Sequence, residues 1–399
     1  MHKKTNKTPQ LATVKNCTGC LACYDSCPQK AISYDIEKDG HFYVKINSKL
    51  CINCKKCENT CPVVNNINYS ISEISNFYAA WSKDIFYRKN SASGGFFAAI
   101  ATYVLDHNGI VFGASIEKIK VKHIYIASIS QLRLLQGSKY TQSDISTNYT
   151  KAYNFLKEGK TVLFSGTGCQ IAALYSYLSK KNFSGKLITV DLICGGVPSK
   201  LLTQKFIQNE PYKINEIISY RTKEKGWKST GFSYNLKVKD SNNNIHNYIN
   251  KRNLITDGFA SELTNRYSCY NCQFTGRYRM SDFTIGDLWG DKKFSNEHFN
   301  GISLIISHNK NSETLLYCLN EYIKFYPIDS QQALKFNPRI EKGINYKKFM
   351  PERIFIQQIF KIFPYNILTK IYASNFSNHS IWIIYKIYRY IINFILKQL

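Results

Sequence analysis

Residues 17–28 read CTGCLACYDSCP and residues 51–62 read CINCKKCENTCP. Both spell C-x2-C-x2-C-x3-C-P, the second 34 residues after the first. In each run three thiolates stand close enough to ligate three irons of one cubane. The fourth, behind a longer spacer, reaches the other cluster. The spacing predicts one 4Fe-4S cluster on Cys17, Cys20, Cys23 and Cys61, and a second on Cys51, Cys54, Cys57 and Cys27. Pro28 and Pro62 turn the chain away after the fourth ligand and remove an amide donor. Gly19 permits the tight backbone that wraps a cluster. Zinc sites pair C-x2-C units across a longer gap, and a repeated triple suits them poorly.

This stretch resembles a bacterial-type dicluster ferredoxin, which carries electrons one at a time and does no substrate chemistry alone. Between the two runs, apolar and polar residues alternate around Asp39-Gly40, a hairpin signal. The predicted module spans residues 1–66, with a polar linker rich in Asn and Ser over 67–76.

The chain of 399 residues holds 13 cysteines. Its N-terminus, MHKKTNKTPQLATVKN, has no apolar core, so a secretory signal is not expected. Cysteines in a reducing compartment serve more often as metal ligands than as disulfides, and a cytoplasmic protein is expected. No apolar run approaches the roughly 18 residues of a spanning helix. Lys and Arg outnumber acids 53 to 27, a net charge of +26. A composition rich in Lys, Asn, Ile and Tyr accounts for part of that as coding bias. No recognised nucleic-acid motif accompanies the charge, so nucleic acid is not expected as a partner.

From Phe77 onward short apolar runs alternate with amphipathic helices. Strands are predicted at 77–81, 109–115, 161–166 and 186–194, and helices at 93–106, 143–159, 169–180 and 199–208. The order strand, SGTG turn, helix, strand implies a parallel crossover, and INEIISY, GFSYNLKV and NIHNYINK read as an antiparallel insertion. The fold class is α+β or mixed α/β. The body divides into an N-terminal part, 77–160, and a C-terminal part, 161–345, followed by a basic amphipathic helical tail, 346–399. That tail, HSIWIIYKIYRYIINFILKQL at its end, fits a docked helix or peripheral contact with the inner face of a membrane.

Three glycine-bearing segments offer backbone amides to an anion: Ser93-Gly94-Gly95, Gly137-Ser138-Lys139 and Gly166-Thr167-Gly168. Each alone is equally an ordinary cap or turn. Cys169 starts a helix, Cys194 ends a strand, and Cys269 and Cys272 form a further C-x2-C pair. Together they could hold a third 4Fe-4S cluster or a zinc ion, or be unrelated thiols. Cys318, on one helical face with Leu315, Leu319 and Tyr322, is expected in the core. The 8 histidines show no ligand or triad spacing, and no catalytic residue is assigned.

SASGG (91–95), LLQGSKYTQS (134–143), VLFSGTGCQIAAL (162–174), DLICGGVPS (191–199), YRTKEKGW (220–227), RYSCYNC (266–272) and SDFTIGDLWG (281–290) together carry a resemblance. They are similar to the coenzyme F420 hydrogenase/dehydrogenase beta subunits, in the form fused to an N-terminal ferredoxin domain. The resemblance implies an oxidoreductase that binds FAD and holds a further 4Fe-4S cluster on Cys169, Cys194, Cys269 and Cys272. It makes Ser93, Gly94, Gly95, Gly137, Ser138, Lys139, Gly166, Thr167, Gly168 and Gln170 candidate flavin contacts. Electrons would pass on to coenzyme F420, a nicotinamide (NAD(P)H) or a reducible organic substrate. Relatives of this fused form also occur in surface-polysaccharide biosynthesis. The implied partners are a ferredoxin or another oxidoreductase subunit, besides the small molecule. A second reading is a non-catalytic electron-transfer subunit docked on an enzyme. Two positions depart from the family pattern. Gly168 stands where G-T-P-C-Q has proline, and Gly195 where C-H-G-V-P has histidine, which removes a candidate proton donor.

Overall fold

The computed structural model describes residues 8–65, 75–224, 226–227, 235–249, 251, 253–341 and 343. Most of the expected linker and the whole C-terminal tail lie outside the described residues. Among the described residues no helix is long and apolar enough to cross a membrane.

The first module is a hairpin with a short helix in each cysteine run. Strand β1 (Ile32–Ile36) pairs antiparallel with β2 (Phe42–Ile46). Gly40 takes φ +80 in the turn, a left-handed value that favours glycine. The sequence repeat recurs in the backbone: Gly19 and Asn53 share left-handed φ values, as do Leu21 and Lys55, each pair one repeat apart. Non-glycine residues resist this region, so its recurrence marks a chain held around something by its surroundings.

The body is built on one mixed sheet of eight strands. In chain order these are β3 (Asn76–Ser82), β4 (Ile110–Glu117), β5 (Lys120–Ile126), β6 (Val162–Ser165) and β7 (Leu187–Leu192). After an inserted antiparallel sheet of β8 (Ile214–Ser219), β9 (Asn235–Asp240) and β10 (Ile245–Ile249) come β11 (Phe283–Asp287), β12 (Ser303–Ser307) and β13 (Ile323–Pro327). Their spatial order is β13-β3-β12-β11-β7-β6-β4-β5. The four central strands β4, β6, β7 and β11 run parallel, and the outer pairs are antiparallel.

Val162, Leu163 and Phe164 are all fully buried, the uninterrupted apolar run of a strand covered on both faces. Phe164 stacks on Phe112 of β4, on Tyr149 and on His123. Parallel central strands place the carboxyl ends of β6, β7 and β11 on one edge, where sheets of this kind bind ligands. Helix Gly168–Leu178 leaves that edge directly after β6.

Differences from the sequence reading have local causes. The helix expected at 143–159 begins only at Asn148, because Asp144 bridges to Lys122 on the β5 edge and Ser146 takes φ +48. Helix Phe96–Asp106 starts after Gly95, whose φ is +90. Cys318 is exposed and not in the core. Leu315, Leu316 and Leu319 define the buried arc of its helix. At about 100° per residue, Cys318 lies roughly 100° from the middle of that arc.

Gly94 is where the helix entrance crosses the sheet. A Cβ there would sit 2.3 Å from the Ala80 carbonyl oxygen and 2.5 Å from the Ser303 amide, both backbone. Gly94→Ala is expected to destabilise the body by about 1–3 kcal/mol, as overpacking does. A lowered unfolding midpoint checks it, and an unchanged one would mean the two strands yield freely.

Candidate iron–sulfur relay and cavity

Cys20, Cys23, Cys57 and Cys61 are buried, Cys17, Cys27 and Cys51 partly so, and Cys54 is exposed. Electrostatic neighbours sort them crosswise, as the spacing predicts. Cys20 feels Cys61 and Cys17, and Cys23 feels Cys20, Cys17 and Cys61. Cys57 feels Cys27 and Cys51, and Cys27, Cys51, Cys54 and Cys57 line one cleft. Burial pushes the Cys20 thiol up to about 12 and Cys57 up to about 11. Thiolates this buried need cationic ligation, which the irons of a cluster supply.

A second observation supports the fit. Arg266 is fully buried. Its Nε donates to the Cys17 carbonyl at 2.6 Å, one terminal nitrogen to Gln142 Oε1 at 3.3 Å, and the other to Cys17 Sγ at 3.6 Å and to the Phe42 carbonyl. No carboxylate is among these acceptors. The guanidinium faces a cysteine sulfur, and a thiolate-ligated cluster provides its negative counterpart.

Cys169, Cys194, Cys269 and Cys272 come together from three loops and line a single cleft with Thr18 of the first module. Cys169 feels Cys272, Cys20 and Cys194, so this third quartet abuts the first. Cys169 is placed by the helix cap. Thr167 and Gln170 form a reciprocal capping box, and Thr167 Oγ1 lies 3.1 Å from Cys169 Sγ. The Gly196 amide donates to Cys194 Sγ at 3.3 Å. Burial pushes Cys269 up to about 12 and raises the other three. Among the described residues no three Cys, His, Asp or Glu side chains converge on a single ion. A cubane instead takes one thiolate at each iron corner.

Behind the third quartet, at the carboxyl edge of β6, β7 and β11, lies a cavity of about 470 Å³. Its size suits an organic cofactor. Cys169 and Cys194 line both it and the cysteine cleft. Ser93, Gly95, Gly137, Ser138, Lys139, Gly166, Thr167 and Gln170 line it as well. Gly94 packs on the sheet instead, and Gly168 faces the cysteine cleft, where a Cβ would sit 2.6 Å from the Phe274 carbonyl oxygen.

The polar groups of the wall differ in availability. Gly137, with φ +80, has open space beside it. Gln170 is committed internally: its Oε1 accepts from the Thr167 amide at 2.9 Å and its Nε2 donates to Ser143 Oγ at 3.0 Å. Lys139 Nζ donates to the carbonyls of Leu135 and Gln136, both at 2.9 Å. Burial, with Arg133 nearby, lowers Lys139 to about 7. A cation held by carbonyls at a cavity wall favours an anionic ligand.

Several wall residues carried no role at the sequence level. Arg221 pairs with Asp287 at 2.8 Å, and Asp287 also accepts from Trp227 Nε1 at 2.8 Å. Trp227 stacks on Trp289, which lines the cavity. These lie in YRTKEKGW and GDLWG, so the segments were visible although their pairing was not. The space a side chain at Gly195 would enter is taken by Arg339, whose guanidinium nitrogen would be 2.7 Å from the added Cβ. Arg339 is paired there with Glu262. An arginine thus borders the position where the family pattern has histidine.

His123 also borders the cavity, its Nε2 donating to the Ser165 carbonyl at 2.9 Å. Burial lowers it to about 4 from an ordinary 6.5. The unfolded chain binds this proton first, so stability is lost as pH falls from 6.5 toward 4. The loss amounts to roughly 3 kcal/mol when complete. In unfolding midpoints measured against pH, His123→Gln is expected to flatten the slope relative to the native chain. An unchanged slope would show that His123 does not cause it.

Comparison with known proteins agrees with this geometry. Residues 159–331 match the family described as the C terminus of the coenzyme F420 hydrogenase/dehydrogenase beta subunit. Residues 16–65 match the 4Fe-4S dicluster domain. A curated relative, the ketoisovalerate oxidoreductase subunit VorC of Methanothermobacter marburgensis, is 35% identical over 57 residues, 14% of this chain and 72% of its own. A chain of the F420-reducing [NiFe] hydrogenase complex from Methanosarcina barkeri aligns with a TM-score of 0.44 at 17% identity. That alignment covers 73% of this chain and 93% of the other. With the cysteine runs and the sheet edge they serve in view, the chain belongs to the coenzyme F420 hydrogenase/dehydrogenase beta-subunit family and carries a 4Fe-4S dicluster domain at its N-terminus.

Proposed function

We propose that this chain is an iron–sulfur flavoprotein oxidoreductase in which three cysteine quartets lead from the surface to a flavin cavity. One observation carries the reading. The exposed quartet of Cys54, the quartet of Cys20, the quartet of Cys169 and the cavity are contiguous, each sharing neighbours with the next. A chain that only docked on an enzyme would need no cavity of about 470 Å³ at the end of such a series.

Bound in these places, clusters supply one-electron carriage, and a flavin supplies exchange between single electrons and hydride-type chemistry. The chain's own residues do the rest. The segments around Ser93, Gly137 and Gly166 supply backbone amides and polar side chains, and Lys139 a cation, for an FAD with its pyrophosphate. Arg221, fixed by Asp287, adds a second cation to the wall. Thr167 and Gln170 hold Cys169 at the helix start between cleft and cavity. The two-electron partner is coenzyme F420, a nicotinamide or an organic substrate. A role in surface-polysaccharide biosynthesis, in the cytoplasm or at the inner face of the membrane, follows from the resemblance alone.

Iron, sulfide and released flavin, counted on anaerobically reconstituted protein, test this. About twelve irons and one FAD per chain are expected. About eight irons without flavin would leave only the dicluster domain and contradict the reading.

A further inference from the structure

We infer that the loop of Cys51 to Cys57 is the docking face for a small soluble one-electron carrier protein whose surface is acidic around its redox centre. Of the eight ferredoxin-type cysteines only Cys54 is exposed, so this loop is where the relay meets solvent. Around it the chain shows apolar groups ringed by cations. Leu50 is 52% exposed and Ile52 60%, on either side of Cys51. Lys49, Lys55 and Lys56 are all exposed on the same loop. Lys56 is close enough to Lys181 of the body for the two cations to repel, which carries the positive rim across the junction.

The acids that might cancel this rim are engaged elsewhere. Asp25 accepts from Thr150, Glu37 pairs with Lys45, Asp39 accepts from Tyr43, and Glu58 accepts the Gln10 amide. An apolar centre inside a ring of one charge gives a contact that forms fast and dissociates fast, steered by the opposite charge on the partner. A nucleic acid would use the cations but leave Leu50 and Ile52 without a match. In the transfer, one electron leaves the carrier's reduced centre and enters the oxidised second cluster, with no proton or bond exchanged. The inference rests on the dicluster domain and not on the flavin, so either can fail without the other.

The test uses the reconstituted full chain and an acidic two-iron ferredoxin. Binding is read with that ferredoxin carrying gallium in place of iron, and transfer with the reduced iron form. The triple variant Lys49→Glu, Lys55→Glu, Lys56→Glu is expected to weaken binding and slow transfer on the order of tenfold or more at low salt. The difference should shrink at high salt. A remote triple, Lys310→Glu, Lys324→Glu, Lys335→Glu, on exposed residues at the far edge of the sheet, should change both little. Reduction by the methyl viologen radical, a small cation, should not be slowed by the loop triple. Should the loop triple lose iron, the Gln triple at the same positions is used, with a smaller loss in the same direction expected. Equal effects of the loop and remote triples, or none from the loop, would overturn the inference.

Discussion

Arg266→Gln is expected to loosen the first module from the body and to make the first cluster harder to reduce. The fully buried guanidinium ties the Cys17 and Phe42 carbonyls of the module to Gln142 of the body. Gln142 Nε2 in turn donates to the Thr18 and Gly19 carbonyls, and Ser268 Oγ to Cys17. Removing the fork strands several buried acceptors at once, which costs on the order of 3–5 kcal/mol. The lost cation beside Cys17 Sγ no longer favours the more negative reduced cluster, so its midpoint potential moves down. Arg266→Lys separates the two effects, since lysine keeps the charge without the planar fork. Thermal melts and limited proteolysis read the docking, and an EPR-monitored redox titration reads the potential. If both variants melt and titrate like the native chain, Arg266 is a passive core residue.

The second large effect is expected at the third quartet. Cys272→Ser should lower the iron content from about twelve to about eight per chain while the dicluster signals stay as they were. The reason is geometric. Cys272 comes from the 266–272 loop and is the electrostatic neighbour of Cys169, Cys194 and Cys269, so its loss opens one corner of the site. Cys318→Ser is the matched control, an exposed thiol that shares no cleft with the others. Loss of iron from the Cys318 variant but not the Cys272 variant would reverse the assignment.

What could be read from the sequence depended on how far apart the interacting residues lie. The paired cysteine runs carried their own crosswise ligation, because two copies of one spacing leave little other choice. The apolar run 162–164 and the SGTG turn announced a buried parallel strand and the edge beyond it. Contacts between distant segments stayed silent. Arg266 meets Cys17 across 249 residues, and nothing local to RYSC says that its guanidinium points at another module. Arg339 filling the space beside Gly195 is equally a product of the folded chain. Cys318 was misplaced because an apolar neighbourhood in sequence was taken for a face, when only a narrow arc of that helix is covered.

The contiguity of quartets and cavity is most directly tested by a single-turnover reduction of the flavin-loaded chain, followed at cluster and flavin wavelengths, in native and Cys272→Ser forms. The account predicts that the dicluster module reduces at the same rate in both, and that the flavin bleaches only in the native chain. Flavin bleaching at the native rate in the Cys272 variant would show that electrons reach the cavity without the third quartet, and would contradict the series proposed for this chain.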